Sequence, residues 1–157
     1  MRIREARDED VAAILELIQG LAEYEHLADR VTATENRIRE TLFGARPVAE
    51  ALLAEVGDET VGLAIFFTNY STFLAKPGIY LEDLFVKAHA RGRGVGRALL
   101  KRIAQMAVER ECGRLEWAVL DWNEPSIQFY ESLGAVAMKD WTVYRLTDEA
   151  LTRLAGS

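Results

Sequence analysis

The sequence predicts an α/β fold: one mixed sheet covered by helices. Three observations carry that expectation. Apolar runs of strand length alternate with amphipathic stretches of helical spacing, in the order β-α-α-β-β-β-α-β-α-β-β-α. The strand Tyr80–Val86 runs through a turn rich in glycine and arginine straight into an amphipathic helix. The chain has 157 residues with no internal repeat, low-complexity tract or linker, the size of one domain with a real core.

Each element has its own signal. Ile3–Ala6 reads as a first strand. Asp8 is placed to cap the helix that follows, where Val11, Ile14, Leu15, Ile18 and Leu21 recur at helical spacing as a core stripe. Thr32 with Glu35 three residues on reads as a capping box for a second helix reaching Leu42 or Phe43, before Gly44–Pro47 breaks the pattern. Ala51–Val56 and Val61–Thr68, joined by Gly57-Asp58-Glu59-Thr60, read as a β-hairpin. Asn69–Pro77 is then a loop, Tyr80–Val86 a strand, and Gly94–Glu111 a helix with Val95, Leu99, Ile103 and Met106 on one face. Arg114–Leu120 alternates as a strand. Asn123 caps a helix carrying Ile127, Tyr130 and Leu133, with proline tolerated in its first turn and Gly134 ending it. Ala135–Met138 and Trp141–Leu146 read as two last strands, and Thr147 caps a short final helix.

Composition narrows the function. Half of the residues are hydrophobic and 28% are charged, as in a soluble globular protein. A formal net charge of −6 argues against nucleic acid or an anionic membrane as partner and favours a cationic substrate. The single Cys112 excludes an internal disulfide and fits a reducing, cytoplasmic setting. The start is charged and strand-like rather than secretory, and no apolar run approaches membrane-spanning length. Two histidines and scattered acids without ligand spacing predict no metal site. Cys112, beside Glu109 and Glu111 with no histidine placed to activate it, reads as an incidental thiol rather than a nucleophile.

The chemistry concentrates at the turn after Val86. Gly92, Gly94 and Gly96 let the backbone approach an anion closely, the helix start beyond them offers unpaired N–H groups, and Arg91, Arg93 and Arg97 add cationic forks. A phosphate or pyrophosphate is the ligand such a turn suits. No lysine followed by Ser or Thr is present for a nucleoside-triphosphate loop, and the spacing is not that of a dinucleotide fold. Arg91-Gly92-Arg93-Gly94-Val95-Gly96 resembles instead the pyrophosphate loop of the GNAT superfamily of acetyl-CoA-dependent N-acetyltransferases. Tyr80-Leu81-Glu82-Asp83-Leu84-Phe85-Val86, Trp122-Asn123-Glu124-Pro125-Ser126-Ile127-Gln128-Phe129-Tyr130 and Leu21-Ala22-Glu23-Tyr24-Glu25 resemble one branch, the spermidine/spermine (diamine) and thialysine acetyltransferases.

The resemblance implies a single domain over residues 1–157 with a central mixed, mostly antiparallel sheet flanked by helices. It also implies acetyl-CoA as co-substrate and direct transfer to a primary amine in a ternary complex. Acetyl transfer needs a neutral nitrogen, yet an alkyl amine has a pKa near about 10.4, so a carboxylate must take its proton. The resemblance gives that role to Glu82. Strict strand alternation turns Asp83 to the other face, so both acids serve one site only across a bulge. Tyr130 is implied as the acid that protonates the leaving thiolate, although its spacing alone favours a core tyrosine. The backbone of Leu84, Phe85 and Val86 would pair with the pantetheine arm, with Asn123 and Ser126 contacting the same cofactor. The loop from Arg91 through Arg97, with Gly92, Arg93, Gly94, Val95 and Gly96, would hold the pyrophosphate. Tyr24 and Glu25, with Glu82, would meet the amine. A homodimer through the late strands is implied as well.

The substrate stays open between a polyamine, a small diamine and a lysine-like amino acid. The segment Tyr70-Ser71-Thr72-Phe73 lacks the aspartate and tryptophan that the branch carries there, and Arg30 adds a positive charge. Two rival readings stand beside transfer: a non-catalytic acyl-CoA sensor, which would need neither Glu82 nor Tyr130, and a nucleic-acid patch at Arg91–Arg97, which the acidic balance disfavours.

Overall fold

The computed structural model describes residues 1–157 and forms two compact units, Met1–Ala118 and Val119–Ser157. The first holds a five-stranded sheet in sequence order. Its strands are β1 (Arg2–Glu5), β2 (Glu50–Val56), β3 (Glu59–Ser71), β4 (Lys76–Val86) and β5 (Leu115–Trp117). Four antiparallel strands and a parallel β4–β5 pair give the mixed, mostly antiparallel sheet that was expected. Helices α1 (Val11–Tyr24) and α2 (Glu35–Phe43) cover one face, and α3 (Val95–Glu109) covers the other.

Both cores follow from period. On the α1 face, Val11, Ile14 and Leu17 of α1 and Ile38 of α2 pack on Ala51, Leu53, Leu63 and Phe85. Leu17, absent from the predicted stripe, is buried, whereas Leu15, Ile18 and Leu21 flank it half-buried. On the other face Gly62 leaves room for α3: a Cβ there would sit 3.1 Å from Leu99 and from Val95.

Several local expectations are corrected. Asp8 does not cap α1. A short 3-10 turn precedes that helix, and Asp10 is the buttress, accepting from Arg7 N at 2.7 Å and from both terminal nitrogens of Arg4 at 2.7 and 2.8 Å. Asp8 pairs with Arg39 instead. The cap of α2 is Thr34, which accepts from Arg37 N at 3.3 Å, so Thr32 and Glu35 form no capping box. Tyr70 lies in β3 rather than in a loop, because the β3–β4 ladder runs out to Ser71 and Lys76.

The second unit holds α4 (Glu124–Ser132) and α5 (Asp148–Ala155). Asn123 caps α4, accepting from Ser126 N at 3.4 Å, and Gly134 follows at φ +89°. The two strands expected over 135–146 do not form. Alternation supplies only a face, and a strand also needs a neighbour for its backbone groups. No helix is long and apolar enough to cross a membrane.

Candidate active site

The site grows from an irregularity in β4. Ile65 pairs with Asp83 but Phe66 pairs with Leu81, so Glu82 is the extra residue of a β-bulge. That one residue changes the parity of everything after it. Leu81 faces the α3 side with Phe66, whereas Asp83 and Phe85 face the α1 side with Ile65 and Leu63. The sequence carried a sign of this. In a regular strand Ile79, Leu81, Asp83 and Phe85 would share one row, placing an acid in the middle of an apolar face. The bulge that two acids sharing one site would need is therefore present, and it turns Asp83 to the face that alternation had denied it.

The bulge also ends a pairing. β5 follows β4 only from Ile79 to Leu81, its last pair being Leu81 with Trp117. Strand β5 is accordingly three residues long rather than the seven of Arg114–Leu120. Leu84, Phe85 and Val86 keep their β3 partners and continue without a β5 neighbour, so one edge of their backbone is open to an extended ligand.

Charge accumulates on the α1 side of the bulge. Burial, then the charges of Glu82 and Glu25, push the carboxyl of Asp83 up to about 6. Burial likewise raises Glu25. The Tyr80 phenol is raised by burial and by Glu82 and Glu116, and its ring lies 5.3 Å from that of Phe67. Glu116 is bridged to Arg114 at 2.8 Å, but Glu82 is exposed. An acidic surface with aromatic walls suits an alkylammonium group, which gains from carboxylates and from ring faces alike.

The glycine-rich loop fits an anion. Gly92 and Gly94 adopt φ of +72° and +80°, and a Cβ built on either would meet nothing within 4 Å. Gly94 is the N-cap of α3, which has no side-chain cap, so the first N–H groups of a 15-residue helix face the loop. Val95 is buried and anchors the turn, while Arg93 and Arg97 are exposed. A pyrophosphate seated on these amides would be met by both cations. Arg91 differs: its Nε donates to the Val86 carbonyl at 2.8 Å, and its guanidinium lies over the rings of Tyr24 and Phe85.

Tyr24 and Glu25 stand at the end of α1, where His26 turns the chain out of the helix at φ +61° and Leu27 N reaches back to the Ala22 carbonyl at 2.8 Å. The first unit thus gathers Tyr24, Glu25, Glu82, Asp83, the Leu84–Val86 edge and the loop. In the second unit Asn123 is buried at the start of α4, Ser126 is in its first turn, and Tyr130 is half-buried beside Phe129, with ring centres 5.4 Å apart. No group of three or more His, Cys, Asp or Glu side chains is placed to hold a metal ion.

Comparison with known proteins bears on this arrangement. The chain is 39% identical to the thialysine N-epsilon-acetyltransferase of Bos taurus, over 98% of this chain and 96% of that one. It is 33% identical to an L-ornithine N5-acetyltransferase of Arabidopsis thaliana, over 96% and 86% respectively. Among solved structures, an integron cassette protein from the mobile metagenome of V. cholerae superposes with a TM-score of 0.85 at 26% identity, covering 99% of this chain and 98% of that one. Residues 11–135 match the Acetyltransferase (GNAT) family. A bulged strand, a glycine loop opening a helix and these relatives lead to one conclusion: the chain belongs to the GNAT acetyltransferase family and is an acetyl-transferring enzyme.

Proposed function

We propose that the protein moves an acetyl group from acetyl-CoA to the primary amine of a small cationic molecule, by direct transfer in a ternary complex. The observation that carries this reading is the bulge at Glu82. It sets an exposed carboxylate beside a half-buried acid, Asp83, on the side where Glu25 lies, next to a strand edge and an anion loop. Bound acetyl-CoA supplies the acetyl group as a thioester. The loop amides with Arg93 and Arg97 take its phosphates, and the open backbone of Leu84–Val86 takes the extended arm.

Asp83 and Glu25 attract the ammonium group, and Glu82 accepts its proton, directly or through water. The freed lone pair attacks the carbonyl carbon, a C–N bond forms as the C–S bond breaks, and the nitrogen sheds its second proton to solvent, from which the Tyr130 phenol is restored. Tyr130 donates its hydroxyl proton to the departing sulfur; Asn123 and Ser126 contact the pantetheine or phosphate end of the cofactor. These second-unit roles rest on the resemblance of the Asn123–Ile127 block to its family. The whole chain, 1–157, works in this reading as one N-acetyltransferase domain, in keeping with relatives matched over 98% of it.

The names of the relatives include thialysine and ornithine, each with a terminal primary amine on a short amino-acid side chain. With the aspartate and tryptophan absent near Ser71 and Phe73, a lysine-like amino acid is the preferred substrate class over a polyamine. The exposed apolar residues Val136, Met138, Trp141, Val143 and Tyr144, close together in the chain, support a homodimer. A reducing, cytoplasmic setting fits the single Cys112.

The test is calorimetric titration with acetyl-CoA, followed by mass spectrometry of products from thialysine, L-ornithine, spermidine and an aromatic amine. Binding of acetyl-CoA and an acetylated amino-acid side chain support the reading. No binding, or acetyl transfer to none of the amines, contradicts it.

A further inference from the structure

Arg91 opens the glycine-rich loop and, from sequence, counts with Arg93 and Arg97 as a phosphate-binding cation. Its guanidinium is held elsewhere. Nε donates to the Val86 carbonyl at 2.8 Å, and the guanidinium carbon lies 4.6 Å from the centre of the Tyr24 ring and 5.6 Å from that of Phe85. The helix is brought there by Gly20. A Cβ at that position would lie 2.9 Å from the Phe85 ring, so α1 rests directly on this ring. Tyr24, four residues on and on the same side of the helix, then comes over Arg91. Three elements meet at one cation: the last turn of α1, the open edge at the end of β4, and the first residue of the loop.

We propose that Arg91 is a positioning residue that couples the amine pocket to the cofactor loop, rather than a phosphate ligand. The inference rests on the function proposed above and adds a link between its two halves. Tyr24 and Glu25 are adjacent, so whatever fixes the Tyr24 ring also fixes the backbone that presents the Glu25 carboxylate. The same guanidinium fixes the Val86 carbonyl, which closes the edge expected to meet the pantetheine arm. A carbonyl oxygen has two lone pairs, so Arg91 orients Val86 without consuming its capacity. Ordering at either end is thereby shared with the other. Coupling of this kind is reciprocal: CoA tightens amine binding by the factor by which the amine tightens CoA.

The test compares four variants of the full chain with wild type. CoA affinity is read by calorimetry, and the KM of whichever of thialysine, L-ornithine and spermidine wild type acetylates best is read from initial rates. Tyr24→Leu, remote from the loop in sequence, is expected to weaken CoA binding about two- to thirtyfold, the range that a lost cation–π contact spans. Tyr24→Phe, which keeps the ring face, restores it. Arg91→Gln raises the amine KM and the CoA Kd together, whereas Arg93→Gln raises the CoA Kd with the amine KM unmoved. Combined in one chain, Tyr24→Leu and Arg91→Gln cost less than the sum of their separate effects, as partners in one contact do.

Unchanged CoA affinity in Tyr24→Leu, or strict additivity in the double variant, overturns the coupling while leaving the acetyltransferase reading intact. Arg91 is exposed, so its variant folds even if Tyr24→Leu does not. An amine KM that Arg91→Gln moves no more than Arg93→Gln then overturns the inference by itself. Wild type that binds no CoA removes the functional reading and this inference with it.

Discussion

Replacing Asp83 with asparagine should stabilise the protein at neutral pH. The carboxyl of Asp83 sits half-buried on the α1 face, and burial with the charges of Glu82 and Glu25 raises it from 3.8 to about 6. Its ionisation is therefore less favourable in the fold than in the unfolded chain. A rise of about two units corresponds to about 3 kcal/mol, and solvent at the exposed edge of the site reduces this to about 1–2 kcal/mol. The sign follows from the raised value. Well below pH 3.8 the group is protonated in both states and costs nothing. The penalty grows as pH rises through the interval from 3.8 to about 6 and is complete above it.

Asp83→Asn removes the penalty at nearly constant shape. Thermal or urea unfolding at about pH 7.5 should show a gain of about 1–2 kcal/mol, near 3–6 °C in Tm for a chain of this length. About half of that gain should be gone by pH 5. The variant should at the same time bind cationic amines more weakly, the usual exchange between a strained site and its function. Equal or lower stability at pH 7.5, or a gain independent of pH, would refute the electrostatic account of the site.

Three further outcomes are expected. Tyr130→Phe lowers kcat by about 10²-fold or more with little change in CoA affinity, as loss of a proton donor should; unchanged turnover returns Tyr130 to a packing role. Gly94→Ala places a Cβ at φ +80°, so calorimetry should show weakened CoA binding together with a stability loss on the order of 1 kcal/mol. Full CoA affinity in that variant would mean that the loop tolerates a different turn. Trp141→Ser should shift the protein toward monomer in sedimentation, and a species that is monomeric before the change would remove the dimer from the account.

The mixed sheet, its helix cover and the loop were legible because each rests on a local signal: period, capping, or glycines at a strand-to-helix turn. Thr34 against Thr32 shows the limit of such signals, since two threonines lie two residues apart and the structure caps the helix with the second. Asp83 shows a deeper limit. Its face is decided by the register between Ile65 and Phe66 on a neighbouring strand, which no pattern within β4 states outright. The residues 135–146 have a strand's alternation and no strand's partner, and partners are a property of the assembled sheet. The cationic role of Arg91 was visible in sequence, but its stacking on Tyr24 depends on a glycine 71 positions away, Gly20, letting α1 settle on Phe85.

The measurement that bears most directly on the central claim is the pH profile of kcat/KM for Glu82→Gln beside wild type, using the best amine found. If Glu82 takes the ammonium proton, the variant should fall about 10²–10⁴-fold near pH 7, and the gap should narrow steadily toward pH 10, where the amine deprotonates unaided. Two profiles that run parallel from pH 6 to pH 10 would contradict the claim and leave the bulge at Glu82 as a feature of shape rather than of chemistry.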